Sequence, residues 1–429
     1  MCRWIQSISA RPWTSQTGPK IQSRRIVEIA ARGRQRGDLN YRFIGFLDGG
    51  SGNIQGILLK ALQTTVVIGG GIVGASVAFH LARRGVQVTV IEADEPGHGA
   101  SRVSYAWING RDKSPYHYHE LNRRSQDMWR RFVDELRADV GLVWGGEMRW
   151  TVTAEGAAEL KARVAELQSW GYSIREMPVE EVGEMEPEVA LGDATSVSYT
   201  ESDGHVDPVR VANACLARVV ELGGIVKTGE QVVGLARSGD AITRVRTDRN
   251  EYACDSVVIA AGAKTPDIAS MAGLHVQNTH SPGATVVTSV LQTPLFNSII
   301  AMHTPRDAAG VLLNMRQLTD GRVMVHGGTH DGSLGDNSLE DAEMLLDDTA
   351  RYLPVTENLN VEEVRRALRP MPPDGFPVIG RLPTAPNVYV TYTHSGVTLA
   401  PMIGEMAALE ITSGAEVELL TPYRPGRFT

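Results

Sequence analysis

Residues 64–75 read Thr-Thr-Val-Val-Ile-Gly-Gly-Gly-Ile-Val-Gly-Ala, and this stretch decides the fold. Its β-branched beginning, residues 64–68, is typical of a buried parallel strand. The strand leads into the pattern G-x-G-x-x-G at Gly69, Gly71 and Gly74. In such a pattern the first glycine permits a tight turn, the second lets the backbone approach a pyrophosphate, and the third lets the next helix pack closely.

The following residues complete a strand–helix–strand unit. Apolar side chains at helical spacing predict a helix over residues 75–84, which Gly85 ends. A second β-branched strand is predicted over residues 86–91 and runs into Glu92, 23 residues after Gly69. An acid at this position can accept hydrogen bonds from ribose hydroxyls, and the helix N-terminus offers N–H groups to phosphates. The unit predicts a dinucleotide site but leaves NAD and FAD both open.

Composition is that of an ordinary globular protein: 42% of the 429 residues are apolar and 21% are charged. This length favours two interleaved domains. The net charge of -8 argues against a nucleic-acid surface. The longest apolar stretches are strand-sized, well below the ~18 residues of a membrane span, so no integral membrane association is expected. Three scattered cysteines, Cys2, Cys215 and Cys254, indicate reduced thiols, a cytoplasmic location and no metal site.

The N-terminal segment, residues 1–62, differs from the rest. Its first 60 residues hold ten Lys and Arg against three Asp and Glu, a charge of +7, so the remaining chain carries -15. The segment lacks the apolar run of a secretory signal, although a transit-like peptide fits its composition. We favour a start codon placed too far upstream, or an extension without a role in function. Within it, residues 41–48 predict a short strand that enters a turn at Gly49 and Gly50.

Several later motifs follow the dinucleotide unit in a fixed order: a glycine-rich loop at 97–101, a helix start at 206–208, strands at 225–233 and 257–263, a proline-rich turn at 369–380, and a turn at 394–401. The set resembles the D-amino-acid oxidase superfamily of flavoproteins, nearest to its glycine oxidase and sarcosine oxidase-like branch, over roughly residues 64–429. The resemblance implies an α/β fold with a discontinuous, Rossmann-like FAD-binding domain. It also implies an α+β substrate domain on a mainly antiparallel sheet. The implied FAD-binding segments are 63–147, 203–276 and 366–429, and the implied substrate segments are 148–202 and 277–365.

The cofactor implied by this resemblance is FAD. Ala100 and Ser101 are expected to meet it, Val232 to lie near adenine, and residues 396–399 to run beneath the flavin ring. A glycine turn that opens a helix over residues 401–411 would also aim a positive dipole at the ring. The expected cofactor-binding residues are Gly69, Gly71, Val73, Gly74, Glu92, Ala93, Ala100, Ser101, Ala106, Val232, Ala261, Gly262, Gly396, Val397, Thr398 and Leu399.

The flavin is expected to be held non-covalently. Relatives with an attached flavin carry a cysteine near the position that Leu368 and Arg369 occupy here. Glycine oxidase-like members also place a tyrosine on the strand that corresponds to residues 310–314, where this chain has Val311, Leu312 and Leu313. A bulkier or N-substituted amino acid is therefore favoured over glycine.

Arg369 is the candidate anchor for a substrate carboxylate, which a guanidinium binds in a two-pronged fork. In the resembling enzymes an arginine at this motif position has that role, although pairing with an internal acid is the alternative. It follows an amphipathic, helix-like run over residues 361–368. His394 is a candidate for hydrogen bonding to the cofactor or water, or a structural histidine. Tyr105 and Trp107 either shape an apolar amine pocket or belong to the core.

The implied reaction is FAD-dependent oxidation of an amino acid or related amine, with hydride transfer from the carbon next to nitrogen and hydrolysis of the resulting imine. The sequence leaves the acceptor, oxygen or an electron carrier, open, as it does oligomerisation. One alternative is a flavoprotein subunit that passes electrons to a partner in a hetero-oligomer. Another is an NAD-dependent dehydrogenase, which would be colourless. Elsewhere, helices are predicted over residues 115–138 and 154–170, and an antiparallel sheet from residues 284–290 and 322–325.

Overall fold

The computed structural model describes residues 8–12, 25–31, 41–47, 54–58, 63–277, 279, 281–292, 298–304, 311–328 and 338–428. The strands in this part of the chain are β1 (Ile8–Pro12), β2 (Arg25–Ala31), β3 (Tyr41–Leu47), β4 (Ile54–Leu58), β5 (Thr64–Ile68), β6 (Gln87–Ile91), β7 (Trp107–Ile108), β8 (Glu147–Thr151), β9 (Ile174–Met177), β10 (Ser196–Thr200), β11 (Gly204–His205), β12 (Ile225–Lys227), β13 (Val232–Ser238), β14 (Ala241–Thr247), β15 (Glu251–Ala253), β16 (Ser256–Ile259), β17 (Ser281–Val290), β18 (Ile299–Thr304), β19 (Val311–Gln317), β20 (Arg322–Gly328), β21 (Val361–Arg369), β22 (Val378–Leu382) and β23 (Ala385–Tyr392). The α-helices are α1 (Ile72–Arg83), α2 (Ala100–Val103), α3 (Tyr116–Leu136), α4 (Ala154–Ser169), α5 (Val179–Met185), α6 (Pro208–Glu221), α7 (Thr265–Ser270), α8 (Ser338–Ala350) and α9 (Gly396–Ser413).

The chain divides into two compact units, residues 1–64 with 85–87, and residues 65–84 with 88–429. The described part of the first unit contains a four-stranded antiparallel sheet in the order β1-β2-β3-β4. The strand predicted over residues 41–48 is confirmed as β3. The turn predicted at Gly49 and Gly50 lies outside the described residues.

A six-stranded sheet in the order β12-β6-β5-β16-β23-β22 is the framework of the dinucleotide unit. Its pairs β12–β6, β5–β16 and β16–β23 are parallel, and β22 closes one edge antiparallel to β23. The predicted strand–helix–strand unit is confirmed, with α1 beginning three residues earlier than expected. Helix α6 begins where the sequence predicts, because Asp207 caps it by accepting hydrogen bonds from the backbone of Val209 and Arg210.

An eight-stranded sheet in the order β21-β17-β20-β19-β18-β8-β10-β9 is antiparallel except for the β18–β8 pair. The mainly antiparallel sheet that the sequence predicts is thus confirmed. The prediction of a helix-like run over residues 361–368 is wrong, because these residues form β21 and pair with β17. Their Glu, Arg, Ala and Leu content favours a helix locally, but the long β-branched strand β17 offers an edge whose pairing overrides that preference.

Helices α1 and α9 lie in close contact and bring the two ends of the second unit together. A Cβ added to Gly404 of α9 would overlap the Ser76 hydroxyl of α1, so only glycine permits this approach. Ser76 donates a hydrogen bond to the Ala400 carbonyl at 2.7 Å. The expectation that α9 starts near Pro401 is wrong, because the helix begins at Gly396 and Pro401 lies inside it.

Within the described residues, no helix is long and apolar enough to cross a membrane. The same residues contain no group of three or more His, Cys, Asp or Glu side chains that could hold a metal ion.

Candidate active site

The glycine fingerprint opens a cavity of about 540 Å³ at the carboxyl edge of the six-stranded sheet. This volume falls within the range of about 300–1,000 Å³ that is usual for small-molecule and cofactor sites. Its walls include these predicted cofactor residues: Gly69, Gly71, Val73, Glu92, Ala93, Ala100, Ser101, Val232, Ala261, Gly262, Gly396 and Val397.

The three fingerprint glycines have different local roles. Gly69 has φ of +107°, and a Cβ there would overlap the Ala260 carbonyl oxygen. A Cβ on Gly74 would overlap the Gly69 carbonyl oxygen, so this glycine permits close packing of α1 on β5. A Cβ on Gly71 would meet only Ser101 Oγ, at 3.4 Å. The backbone of Gly71 is therefore open towards the cavity, as close approach of a pyrophosphate requires.

The Glu92 carboxylate is fixed at the wall of this cavity. Its Oε2 accepts from the Gly70 backbone N–H at 2.6 Å, and its Oε1 accepts from Asp94 N–H at 3.0 Å. Each carboxylate oxygen has a further lone pair for a ribose hydroxyl. The carboxylate, the open glycine and the start of α1 together fit the ribose and pyrophosphate of a dinucleotide, and therefore the FAD that the resemblance implies.

A second cavity, of about 240 Å³, adjoins the first and is called the substrate cavity here. Seven residues line both: Ala100, Ser104, Ala367, Leu368, Pro370, His394 and Val397. Polar side chains of the substrate cavity come from five parts of the fold, and they include Tyr105, Trp107, Asn109, Lys113, Asn314, His326, Arg369 and His394. A ligand in this cavity would therefore lie directly beside the cofactor.

Arg369 lies at the end of β21, and its guanidinium crosses the neighbouring strand β17. Its Nη2 donates a hydrogen bond to His326 Nε2 at 3.0 Å, which orients the guanidinium at the cavity wall. A Cβ on Gly283 of β17 would lie 2.7 Å from Arg369 Nε. Gly283 thus provides the space in which the arginine lies.

Gly283→Ala should displace Arg369 and raise KM for a carboxylate substrate by roughly tenfold, since overpacking of this kind costs about 1–3 kcal/mol. Steady-state kinetics would measure the change. Gly183→Ala on α5 is the matched control, because nothing lies within 4 Å of its added carbon. Equal KM values in the two variants would contradict this role for Gly283.

Both cavity histidines are neutral near neutral pH. Burial, followed by the charge of Arg369, lowers the pKa of His326 to about 4. The His394 side chain is exposed where it borders the two cavities, yet desolvation by the surrounding protein, followed by the nearby Lys113, Arg369 and His326, lowers its pKa to about 3. His326 therefore keeps the lone pair that accepts from Arg369 until the pH falls towards 4.

The inhibition constant of a simple monocarboxylate should accordingly show no histidine transition between pH 5.5 and 7.5. A folded-state pKa below the usual 6.5 means that protonation, and loss of the Arg369 contact, occur only on the acid side of this window. Competitive inhibition measured across the window would check this. A transition near pH 6.5 that disappears in His326→Gln would contradict it.

Tyr105 and Trp107 both line the substrate cavity, on either side of Ala106, whose φ is +63°. A positive φ is unusual for a residue with a side chain and is often found at functional sites. The Trp107 indole donates to Asp203 Oδ2 at 2.8 Å, which fixes the ring. The Tyr105 hydroxyl is buried and has no hydrogen-bond partner among the described residues. Burial raises its pKa well above 10, so this hydroxyl stays protonated.

Four predicted cofactor residues differ from the rest in position. Gly74 and Leu399 line neither cavity: Gly74 serves helix packing, and Leu399 is fully buried in α9. Ala106 and Thr398 line the substrate cavity rather than the cofactor cavity.

The residues that line the substrate cavity without having been predicted as site residues include Asn109, Lys113, Gly283, Asn314 and His326. Asn109 and Lys113 follow Tyr105 and Trp107 in a polar segment, and this shift in composition is a signal that could have found them. The other three lie on strands of the eight-stranded sheet, and the sequence contains no local signal for them.

Known proteins resemble this chain in both sequence and fold. Residues 64–409 match the DAO family model, described as FAD dependent oxidoreductase. The chain is 26% identical over 380 residues to a protein from Agrobacterium tumefaciens (strain Ach5) that is named as a subunit of opine oxidase, and the match covers 84% of this chain and 96% of that protein. It is 26% identical over 362 residues to the glycine oxidase of Bacillus licheniformis, covering 82% and 93%. The crystal structure of glycine oxidase from Geobacillus kaustophilus has a TM-score of 0.76 at 22% identity, covers 86% of this chain and 99% of that one, and has the same fold.

Proposed function

Because the chain belongs to the DAO family of FAD-dependent oxidoreductases, we propose that it oxidises an amino acid, primary or N-substituted, at the carbon next to nitrogen. The family makes it an enzyme that acts on CH–NH or CH–NH2 donors. The identity of the amino acid as the donor is the finer proposal. This proposal rests on one observation: the substrate cavity, which adjoins the cofactor cavity, contains a guanidinium together with hydrogen-bond acceptors that an amine can donate to.

Those acceptors are the side-chain oxygens of Asn109 and Asn314. Both are buried and lack a hydrogen-bond donor within the described chain. The amide nitrogen of Asn109 donates to the Trp107 carbonyl at 3.5 Å, which leaves its oxygen for a ligand. A buried acceptor without a donor costs about 1–3 kcal/mol, so a bound N–H group would be favoured here. The Arg369 guanidinium supplies the complementary group for a carboxylate.

The chemistry that FAD supplies when bound is acceptance of a hydride from the carbon next to nitrogen. The residues of this chain hold that carbon in place, with Arg369 binding the carboxylate and the two asparagines accepting from the amine. With both histidines neutral, no imidazolium competes for the carboxylate. The amine nitrogen loses a proton as the imine forms, and water then hydrolyses the imine to a carbonyl compound with release of ammonia from a primary amino acid or of an amine from an N-substituted one.

We further propose that residues 63–147, 203–276 and 366–429 form the FAD-binding domain, and that residues 148–202 and 277–365 form the substrate domain. The strands of the six-stranded sheet all come from the first set. Those of the eight-stranded sheet come from the second set, apart from the ends of β8 and β21 that cross the boundaries.

Non-covalent attachment of FAD is also a proposal. Neither Cys215 nor Cys254 lines the cofactor cavity or the substrate cavity. Acid precipitation of the purified protein should therefore leave all of the yellow flavin in solution. Flavin that stays with the precipitated chain would overturn this point.

A visible spectrum and an amine panel test the proposed function. The purified protein should be yellow, and a panel of amino acids and N-alkylated amino acids should be followed both by peroxide release and by dye reduction. Turnover with at least one member in either assay is expected, and the assay that responds identifies oxygen or a carrier as acceptor. Failure of every member in both assays would overturn the proposal.

The second candidate is a flavoprotein subunit that passes electrons to a partner. The similarity to a protein that is named as one subunit of opine oxidase favours this candidate. Purification of the tagged chain from its native cells separates the two. A stoichiometric second chain that is needed for turnover would support the second candidate, whereas turnover by the isolated chain supports the self-sufficient enzyme.

A further inference from the structure

We infer that the substrate carries two carboxylates, one bound by Arg369 and the other by Lys113. This inference rests on the proposed function and specifies its substrate class. The substrate would be an amino acid with a second acidic group, on the side chain or on an N-substituent.

The charged side chains that line the substrate cavity, among the described residues, are all of one sign. Lys113 and Arg369 are the two cationic residues among the described residues that line it, and no Asp or Glu is among them. The neutral histidines add no charge. With the carboxylate of a simple amino acid bound by Arg369, the ligand would offer no counter-charge to the Lys113 ammonium, whereas a second carboxylate would supply one.

Lys113 lies in the polar loop after β7, and its side chain is half-buried at the cavity wall. Its backbone carbonyl accepts from Arg163 Nη2 at 3.3 Å, which helps to fix the loop. Burial lowers the pKa of Lys113, with the carboxylates of Asp112 and Asp203 opposing this effect. An anion brought into the cavity would stabilise the charged ammonium further.

The two nearby carboxylates are already engaged by other donors. Asp112 Oδ2 accepts from Arg149 Nη2 at 2.8 Å. Asp203 accepts from Trp107, from Gln126 at 3.2 Å and from the Tyr172 hydroxyl. The Lys113 ammonium itself forms no salt bridge within the part of the chain that the structure describes. Its charge is therefore available to a ligand.

The size of the cavity limits the length of this substrate. The volume of about 240 Å³ is below the range usual for drug-sized ligands. A substrate that carries both carboxylates must therefore be a small molecule. The unpartnered oxygens of Asn109 and Asn314 line the same cavity and provide for an amine on that molecule.

Matched substrates test the inference directly. N-(carboxymethyl)glycine should be oxidised with kcat/KM about ten- to a hundred-fold above N-(carbamoylmethyl)glycine, which has the same shape and one charge fewer. Aspartate against asparagine, and glutamate against glutamine, extend the comparison to side-chain acids. Equal kcat/KM within every pair would overturn the inference and leave the proposed function intact.

Lys113 variants identify the residue responsible. Lys113→Met should bring the diacid-to-amide ratio of kcat/KM towards one, and Lys113→Arg should largely restore it. Lys161→Met, which removes an exposed lysine from α4, is the matched control and should keep the wild-type ratio. A ratio unchanged in Lys113→Met would remove this residue from recognition.

A binding measurement tests the two-carboxylate inference even if the protein turns over no amine. Malonate, succinate and acetate can be titrated against the flavin-loaded protein while the flavin absorbance is followed. At least one dicarboxylate should bind about tenfold or more tightly than acetate, and Lys113→Met should abolish that preference. Equal affinities for mono- and dicarboxylates would overturn the inference. Tight dicarboxylate binding without turnover of any amine would count against the proposed function alone.

Discussion

Arg369→Ala is expected to raise KM for the amino acid substrate by about 30- to 4,000-fold. Truncating one partner of a buried, hydrogen-bonded charge pair costs about 2–5 kcal/mol, and each 1.4 kcal/mol corresponds to a factor of ten. The position of the guanidinium, beside the cofactor cavity and oriented by His326, is the reason for placing the effect in substrate binding. Steady-state kinetics and the affinity of a competitive carboxylate inhibitor would measure it.

Two further variants sharpen this test. Arg366→Ala changes an exposed arginine on the same strand that does not line the substrate cavity, so its KM should match that of the wild type. Arg369→Lys should recover only part of the loss, since an ammonium cannot form the two-pronged contact. A KM that Arg369→Ala leaves unchanged would remove this residue from the substrate site.

Gly71→Ala is expected to weaken FAD binding by about five- to 150-fold without lowering the stability of the apoprotein. The added Cβ meets only Ser101 Oγ at 3.4 Å, an ordinary contact, but it projects where the pyrophosphate must approach. The magnitude follows from an overpacking cost of about 1–3 kcal/mol. Flavin titration would give the Kd, and thermal unfolding of the apoprotein would give its Tm.

Gly74→Ala provides the contrast within the same motif. Its Cβ would overlap the Gly69 carbonyl oxygen, so this variant should lower the Tm of the apoprotein itself. Similar losses of apoprotein stability in the Gly71 and Gly74 variants would contradict the separate roles assigned to the two glycines.

The parts of the fold that the sequence predicts well are those governed by local patterns. The spacing of the fingerprint glycines, the Asp207 cap and the apolar spacing of α3 are each visible as patterns within a few residues along the chain. Residues 361–368 show the opposite case, because their strand exists through pairing with β17, some 80 residues earlier. Local propensity cannot report such a partner.

The candidate site also contains residues that the sequence predicts and residues that depend on distant parts of the chain. Arg369, His394, Tyr105 and Trp107 were predicted by resemblance and do line one cavity. Gly283 was not predicted, since its role depends on a guanidinium from a different strand. Sequence alone therefore indicates which motifs supply the site, whereas the residues that orient those motifs come from pairings distant in the chain.

The order of strands in the six-stranded sheet has a consequence for biosynthesis. Strands β22 and β23, and then α9 against α1, come from residues 378–413, whereas β5 and β6 precede them by about 310 and 290 residues. A nascent chain on the ribosome exposes the first half of the nucleotide fold long before its complement has been translated. Flavin capture should thus await the synthesis of these C-terminal elements, and a truncation that removes them should yield a colourless product.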